Sequence, residues 1–203
     1  MKFGYNVNAN NFDSVLRAEE IFDSTQIPKI SKLTFYHGDW TMRQMSQVIG
    51  MDVEYKRNKM RYSESYLTTT MGEDQYKTTV IELADDEYIT ELVAAGEFSL
   101  ERLYITTTEG RYFKVGGDHS MDTNLGINEE GSVSNAVIGF SGSTGEKLSQ
   151  FRVKYVNLDD FSASQREEFL HVNTDPEQSV TATKKESSIL GRPVSDDIFD
   201  FFA

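Results

Sequence analysis

The sequence lacks cysteine altogether, and its 203 residues include only three prolines, three histidines and one tryptophan. Without cysteine the chain has no disulfide, no thiolate nucleophile and no cysteine-based zinc site. Basic residues are also few, because 20 Lys and Arg stand against 33 Asp and Glu, which gives a net charge of −13. An acidic chain repels phosphate backbones, so we expect no nucleic-acid partner.

Long apolar runs are missing as well. No stretch of the sequence approaches the roughly 18 apolar residues that a membrane-spanning helix needs. Residues 1–11 lack the apolar segment of a signal peptide. The sequence therefore predicts no membrane span, and a protein that is either cytoplasmic or exported by a non-standard route.

Aromatic residues are abundant, with 13 Phe and 10 Tyr, and they favour half-buried pleated surfaces. Short alternating runs are bounded by turn residues such as Gly and Asp. These runs predict strands at 30–36, 48–55, 66–70, 78–83, 88–93, 100–107, 111–115, 133–140 and 148–156. Many short strands at close spacing are typical of an all-β sandwich, barrel or prism.

Two segments have helical rather than alternating spacing of apolar residues. They are residues 13–22, with Ser14 as a candidate cap, and residues 41–48. Both are short for an independent helix. The second segment could equally be a loop or part of a strand.

The composition changes after residue 157. Residues 159–203 contain ten acidic and four basic residues and two of the three prolines, Pro176 and Pro193. Such a composition predicts a flexible, disordered acidic tail at 158–203 behind a folded domain at 1–157.

The end of this tail has an aromatic cluster formed by Ile198, Phe199, Phe201 and Phe202. These side chains could dock back onto the folded domain, insert into the groove of a partner protein, or have no role.

No catalytic or metal-binding constellation is evident. The three histidines, at 37, 119 and 171, have no metal-ligand spacing, and Ser141-Gly142-Ser143 is not a nucleophile elbow. Oxygen-bearing residues at 122–130 resemble a calcium loop, but Gly126 and Ile127 occupy positions that the loop reserves for a ligand and a glycine. We expect a protein that is not an enzyme and that has neither a metal nor a cofactor.

Residues 142–149 combine two glycines with several hydroxyl groups between two predicted strands. Glycine lets backbone N–H groups approach a ligand closely. This segment suits a neutral, polyhydroxylated ligand such as a sugar, although a plain hairpin loop would have the same composition.

Residues 137–153, from Val137-Ile-Gly139-Phe140 to Phe151-Arg-Val153, resemble the last hairpin of the jacalin-related lectins. Residues 80–96, with Glu87-Tyr88-Ile89, and residues 103–116 resemble the strands that precede this hairpin in the family. Residues 30–55 and Asn11-Phe12-Asp13 resemble earlier elements, so the likeness covers about residues 3–157 in order. The resemblance implies a β-prism of three four-stranded antiparallel sheets, with sugar bound at one end.

The sugar-binding motif departs from that of the family. The family pattern G-x-x-x-D is here Gly145-Glu146-Lys147-Leu148-Ser149, so a hydroxyl replaces the carboxylate that accepts hydrogen bonds from the sugar. Asn6, Asn8, Asn10 and Asn11 replace the N-terminal glycine-rich loop. The resemblance implies a sugar site made by residues 145–149, hereafter the sugar loop, together with Gly96, Glu97 and Phe98.

Two functions follow from these features. The first is a carbohydrate-binding module without catalysis, in which oligomers would raise avidity. The second is a degenerate β-prism that acts as a protein-interaction or assembly module, for which the acidic aromatic C-terminal tail is a candidate binding segment.

Overall fold

A computed structural model describes residues 10–22, 27–40, 45–57, 60–67, 76–95, 100–117, 125–126, 134–145, 148–170, 178–179 and 195–199. Within these residues the strands form three sheets, which we number I to III. Two α-helices and one 3-10 helix accompany them.

Sheet I contains the first and the last of the described strands, at its two opposite edges. Its antiparallel strands run in the order β1-β10-β11-β13. They are β1 (Asn10–Asp13), β10 (Asn135–Thr144), β11 (Leu148–Asn157) and β13 (Ser195–Phe199).

Sheet II has the order β12-β4-β3-β2-β5. Its strands are β2 (Lys29–Trp40), β3 (Met45–Arg57), β4 (Met60–Ser65), β5 (Lys77–Glu82) and the two-residue β12 (Gln178–Ser179). All pairs are antiparallel except β12 with β4.

One expectation for this sheet requires correction. The strand predicted at 66–70 is misplaced, because the strand is β4 and Tyr66 and Leu67 follow it, while 68–70 lie outside the described residues. Antiparallel pairing with β3 sets Tyr62 opposite Tyr55. The polar residues of β4 make this strand hard to recognise from the sequence, and it is the pairing with β3 that stabilises it. Of the alternatives left open for residues 41–48, residues 45–48 adopt the strand, as part of β3, while residues 41–44 lie outside the described residues.

Sheet III has the antiparallel order β8-β7-β6-β9. Its strands are β6 (Ile89–Ala95), β7 (Arg102–Thr107), β8 (Tyr112–Gly116) and β9 (Leu125–Gly126). The predicted hairpin of β7 and β8 is confirmed. Gly110 in its turn has φ of +72°, a left-handed conformation that glycine adopts without steric cost.

The inward faces of the three sheets share one apolar core. Alternate residues of each strand contribute to it, as the period of two in a strand requires. Its fully buried members include Leu33, Phe35, Met51, Val53, Tyr55, Ile81, Leu92, Leu103, Ile105, Phe140, Phe151 and Val153. The expected all-β prism of three sheets is therefore confirmed, although sheet II has five strands rather than four because the two-residue β12 adds a parallel pair.

Sheet I is also covered on its outer face, by a second apolar cluster. The cluster is formed by Val15, Ala136, Ile138, Val156, Leu158 and Phe169. Leu158 begins a 3-10 helix, Leu158–Asp160, and Phe169 lies in α2 (Ala163–Leu170). Residues 158–170 are thus folded onto the body, although composition assigns them to the tail. The buried side chains of Leu158 and Phe169 offset part of the cost of ordering this short stretch, and hydrogen bonds such as those from Arg166 to the carbonyl oxygen of Leu158 contribute further.

Lys29 in β2 links α2 to sheet II. The side chain is almost fully buried, and its ammonium donates hydrogen bonds to the carbonyl oxygens of Asp85 and, at 3.4 Å, Leu170. It also lies 5.9 Å from the ring centre of Phe169. Burial lowers the pKa of Lys29 from 10.5 to about 8, although the carboxylates of Asp86 and Asp85 oppose the shift.

We expect the free energy of unfolding to rise between about pH 8 and 10. The unfolded chain keeps Lys29 protonated up to the ordinary lysine pKa of 10.5, whereas the folded chain releases the proton near pH 8, so raising the pH favours the folded state. Denaturant unfolding across this range measures the slope. Lys29→Met should flatten it, while Lys32→Met, at a more exposed lysine, should leave it unchanged. A flat or falling wild-type curve would contradict the assignment.

A buried carboxylate joins the end of sheet II to sheet III. Glu87 is 1% exposed and accepts hydrogen bonds from Thr107 Oγ1 at 2.5 Å, Ala84 N at 3.0 Å and Arg111 Nε at 2.7 Å. A second Arg111 nitrogen bonds the other carboxylate oxygen. Burial alone would raise the pKa of Glu87, but the bonds from Arg111, Thr107 and Ala84 outweigh it and lower the pKa.

Replacing Arg111 with Met should lower the free energy of unfolding by about 3 kcal/mol, because it leaves a buried carboxylate without its cation. Lys32→Met removes the cation of an exposed pair with Glu82 and should cost less than about 1 kcal/mol. Denaturant unfolding at neutral pH compares the two variants. Equal losses would show that the Glu87 pair contributes no more than a surface pair.

Candidate functional site

The sugar loop connects β10 to β11 at the N-terminal end of β1. Asn10 of β1 pairs with Thr144, the last residue of β10, and Gly145 follows it directly. Leu148 begins β11 with its side chain fully buried in the core, so only its main chain can reach a ligand. The main chain of Ser149 continues this strand, while its side chain, like Glu146 and Lys147, lies outside the described residues.

The other predicted sugar contacts lie outside the part of the chain that the structure describes. Gly96, Glu97 and Phe98 follow Ala95, the last residue of β6. Their contribution to a site remains a prediction.

The predicted partner-binding residues are divided in the same way. Ile198 and Phe199 lie in β13, where they pair with Arg152 and Phe151 of β11. Phe201 and Phe202 lie outside the described residues. The main chain of Ile198 and Phe199 thus pairs with the body, and a role of the cluster in binding a partner remains a prediction.

A cleft of about 580 Å³ adjoins the sugar loop. Its walls are β1 with the first turn of α1 (Ser14–Phe22) on one side and the end of β4 on the other. Thr144 also lines it, so the cleft extends to the residue immediately before the sugar loop. Its volume lies within the range of small-molecule sites.

Helix α1 is fixed over β10 by its first residues. The carboxylate of Asp13 accepts a hydrogen bond from Leu16 N at 3.1 Å, which caps the helix. The buried Ser14 hydroxyl lies 2.5 Å from Tyr55 Oη and also bonds the main-chain O and N of Phe140, at 3.0 and 2.9 Å. These contacts hold the wall of the cleft in place.

Glycine is required at position 139 for this close packing. A Cβ there would lie 2.4 Å from both Tyr55 Oη and a methyl group of Val15, and 2.8 Å from Ser14 Oγ. Any larger residue therefore has to push α1 away from β10.

Glu64 of β4 provides a carboxylate in the cleft. Its Oε2 accepts hydrogen bonds from Tyr62 Oη at 2.6 Å and Tyr66 Oη at 3.1 Å. Its Oε1 lies 3.8 Å from Arg17 Nε, and another Arg17 nitrogen bonds Glu20 at 2.9 Å. Burial, together with the carboxylate of Glu64, raises the pKa of both tyrosines, so both hydroxyls stay protonated and can donate.

Apolar groups face these polar ones. Phe12 stacks on Tyr66 with ring centres 4.2 Å apart, and both residues line the cleft. Leu16 also lines it and is 36% exposed, one of three large apolar side chains that are exposed among the described residues. A cleft with an aromatic and aliphatic side and a few polar groups is typical of sites for small organic ligands.

Sequence reasoning did not find Glu64 or Arg17. The alternation Tyr62-Ser-Glu64-Ser-Tyr66 places both tyrosines and the glutamate on one face of a strand, and that signal was available. It was missed because the strand was predicted at 66–70. Arg17 meets Glu64 only through the packing of α1 beside β4.

A smaller depression of about 150 Å³ lies on the polar face of sheet II and is lined by Lys32, Thr34, Asp52, Glu54 and Ser63. Within the described ranges no group of three His, Asp or Glu residues is placed to hold a metal ion. None of the described helices has the length and apolar character to cross a membrane.

Solved lectin structures share this architecture, a prism of three β-sheets. A prostate-specific WGA16 glycoprotein lectin superposes with a TM-score of 0.53 at 14% identity, over 77% of this chain and 96% of that one. Wild-type Malaysian banana lectin superposes with a TM-score of 0.53 at 17% identity, over 76% of this chain and 94% of that one. A mannose-binding jacalin-related lectin from Ananas comosus gives 0.52 at 12% identity, over 77% and 94%. At these identities the likeness shows the fold.

The chain is therefore a β-prism protein by its fold. Residues 18–153 match the family described as the jacalin-like lectin domain, and the chain belongs to that family. No curated protein matches it in sequence. The family match begins within α1, so the residues that form one wall of the cleft precede it, namely Asn11, Phe12, Asp13, Leu16 and Arg17.

Replacing Gly139 with Ala should lower the free energy of unfolding by about 1–3 kcal/mol, because the added methyl group overpacks the contact between α1 and β10. Hydrogen exchange should also show faster exchange of the α1 amides. Gly110→Ala is the control, because open space surrounds Gly110 and an alanine there would be strained only by its positive φ. This variant should leave exchange of the α1 amides unchanged. Unchanged α1 protection in Gly139→Ala would contradict the proposed packing.

Proposed function

We propose that this protein is a carbohydrate-binding module without catalysis, and that it holds a saccharide where the sugar loop meets the cleft between α1 and β4. The observation that carries the proposal is the position of Thr144, which lines the cleft and directly precedes the sugar loop. Membership of a lectin domain family supports it.

The sugar loop would bind through its main chain and a few side chains. The N–H groups of Lys147 and Leu148 would donate to sugar oxygens, while Glu146 and Ser149 would accept from sugar hydroxyls. The buried side chain of Leu148 anchors one end of the loop, which reduces the conformational entropy lost on binding. Gly96, Glu97 and Phe98 would add contacts from a second loop.

A single site of this kind should be weak. A serine hydroxyl at position 149 makes neutral hydrogen bonds, which are about half as strong as those of a carboxylate. Several sites in an oligomer would raise avidity without new contacts. Neutral hexoses are the first ligands to test, since one of the similar structures is of a mannose-binding lectin.

Protein interaction is the second candidate, and the position of β13 favours it. Among the strands that the structure describes, β13 forms the edge of sheet I beyond β11. An edge strand presents unpaired main-chain groups that a strand of another protein can pair with. Ile198 and Phe199 in β13, with Phe201 and Phe202 after it, would then contact that partner.

The purified protein should bind a related set of neutral glycans on an array, equally in calcium and in EDTA. Ser149→Asp should tighten binding about tenfold, because it restores a charged acceptor in the sugar loop. A chain truncated before Ser195 should bind the same glycans, since β13 lies on the far side of β11 from the cleft strand β1. A blank array from folded protein would contradict carbohydrate binding and favour the protein-interaction candidate.

A further inference from the structure

We propose that Glu64 and Arg17 form the specificity-determining pair of the cleft, which binds one hydroxyl group of a neutral saccharide between them. This inference rests on the proposed carbohydrate binding and extends it. It assigns the ligand's main polar contact to residues outside the sugar loop.

The carboxylate of Glu64 is already oriented before any ligand arrives. Two tyrosine hydroxyls bond its Oε2, at 2.6 Å from Tyr62 and 3.1 Å from Tyr66. A carboxylate oxygen held in this way loses little rotamer freedom on binding. Oε1 is the oxygen that remains for a ligand.

The gap between Glu64 Oε1 and Arg17 Nε matches the size of a hydroxyl group. At 3.8 Å the two atoms are too far apart for a direct hydrogen bond. A hydroxyl oxygen about 2.8 Å from each would fit between them, accept from Arg17 and donate to Glu64. A hydroxyl group can make both bonds, which neither a carboxylate nor an ammonium group can do.

The charges around the cleft disfavour an acidic ligand. Asp13 and Glu64 both line it, whereas Arg17 is the single cation among the residues that line it. Arg17 also bonds Glu20, and Lys154 bonds Asp13 at 2.6 Å. An added carboxylate would face Glu64 across a short distance, and like charges so placed cost binding energy. The ligand class is therefore neutral saccharide rather than sialylated or uronic sugar.

The wall formed by β1 and the first turn of α1 also suits the apolar face of a sugar ring. Phe12, held against Tyr66, and the exposed Leu16 present carbon atoms rather than hydrogen-bonding groups. A saccharide hydrogen-bonded to Glu64 can place its C–H groups there. The hydrogen bonds from Glu64 and Arg17, together with the apolar contacts of Phe12 and Leu16, would offset the loss of a carboxylate at Ser149.

The test compares two glutamates of matched exposure on sheet II. The side chain of Glu64 is 25% exposed and that of Glu54 is 23% exposed, and each has an arginine as a neighbour. Glu54 lines the smaller depression on the polar face, so Glu54→Gln would also report binding there. Calorimetric titration uses the strongest neutral glycan from the array and its sialylated counterpart.

Glu64→Gln should weaken binding of the neutral glycan about tenfold or more, because it exchanges a charged acceptor for a neutral one. The same variant should bind the sialylated glycan relatively better than the wild type does. A purely structural role of Glu64 would not change this ratio. Arg17→Met, which keeps the aliphatic stem on an exposed position of α1, should weaken neutral binding similarly without loss of thermal stability.

The results of this titration separate the two proposals. If the wild type binds the neutral glycan and neither Glu64→Gln nor Arg17→Met changes its affinity, the proposed role of the Glu64–Arg17 pair is overturned. The proposal of carbohydrate binding would still stand. A loss of glycan affinity in Glu54→Gln, with none in Glu64→Gln or Arg17→Met, would place the site on the polar face of sheet II. Failure of the wild type to bind any neutral glycan would overturn both proposals.

Discussion

The burial of three sheet faces against one another is the constraint on which the rest of the structure depends. Each sheet alone would leave an apolar face in water, and the prism removes all three faces at once. A slip of one residue in any strand would turn residues such as Leu33 and Phe35 outward. The register is therefore fixed, and so are the positions at which the strands end and the loops begin. The sugar loop owes its position to this constraint.

Sheet I differs from the other two because apolar clusters cover both of its faces. Residues 136–144 of β10 are buried without interruption, as in a strand packed on both sides. The outer cover brings α1 close to β10 at Gly139 and Ser14, and it also folds residues 158–170 onto the body. In this position α1 forms a wall of the cleft, so the outer cover of sheet I also shapes the candidate site.

The carboxylates of Glu87 and Glu64 differ in how their acceptor positions are filled. Glu87 has its acceptor positions filled by Arg111, Thr107 and Ala84, so it serves to join two sheets. Glu64 has one oxygen held by two tyrosines and the other at 3.8 Å from an arginine. The first arrangement is complete within the protein, whereas the second leaves room for an outside hydroxyl group. This difference supports a binding role for Glu64 and a structural role for Glu87.

The sequence by itself determined the all-β class, the hairpin of β7 and β8, and the place of the sugar loop between two strands. These features depend on the alternation of apolar and polar residues and on turn residues such as Gly110. Both signals lie between residues that are close in sequence, so the sequence alone contains them. Only the tertiary structure decided where β4 lies, that residues 158–170 fold, and that Arg17 approaches Glu64. The reason is physical: each of these depends on contacts between residues distant in sequence, which the packing of α1, β4 and β10 brings together.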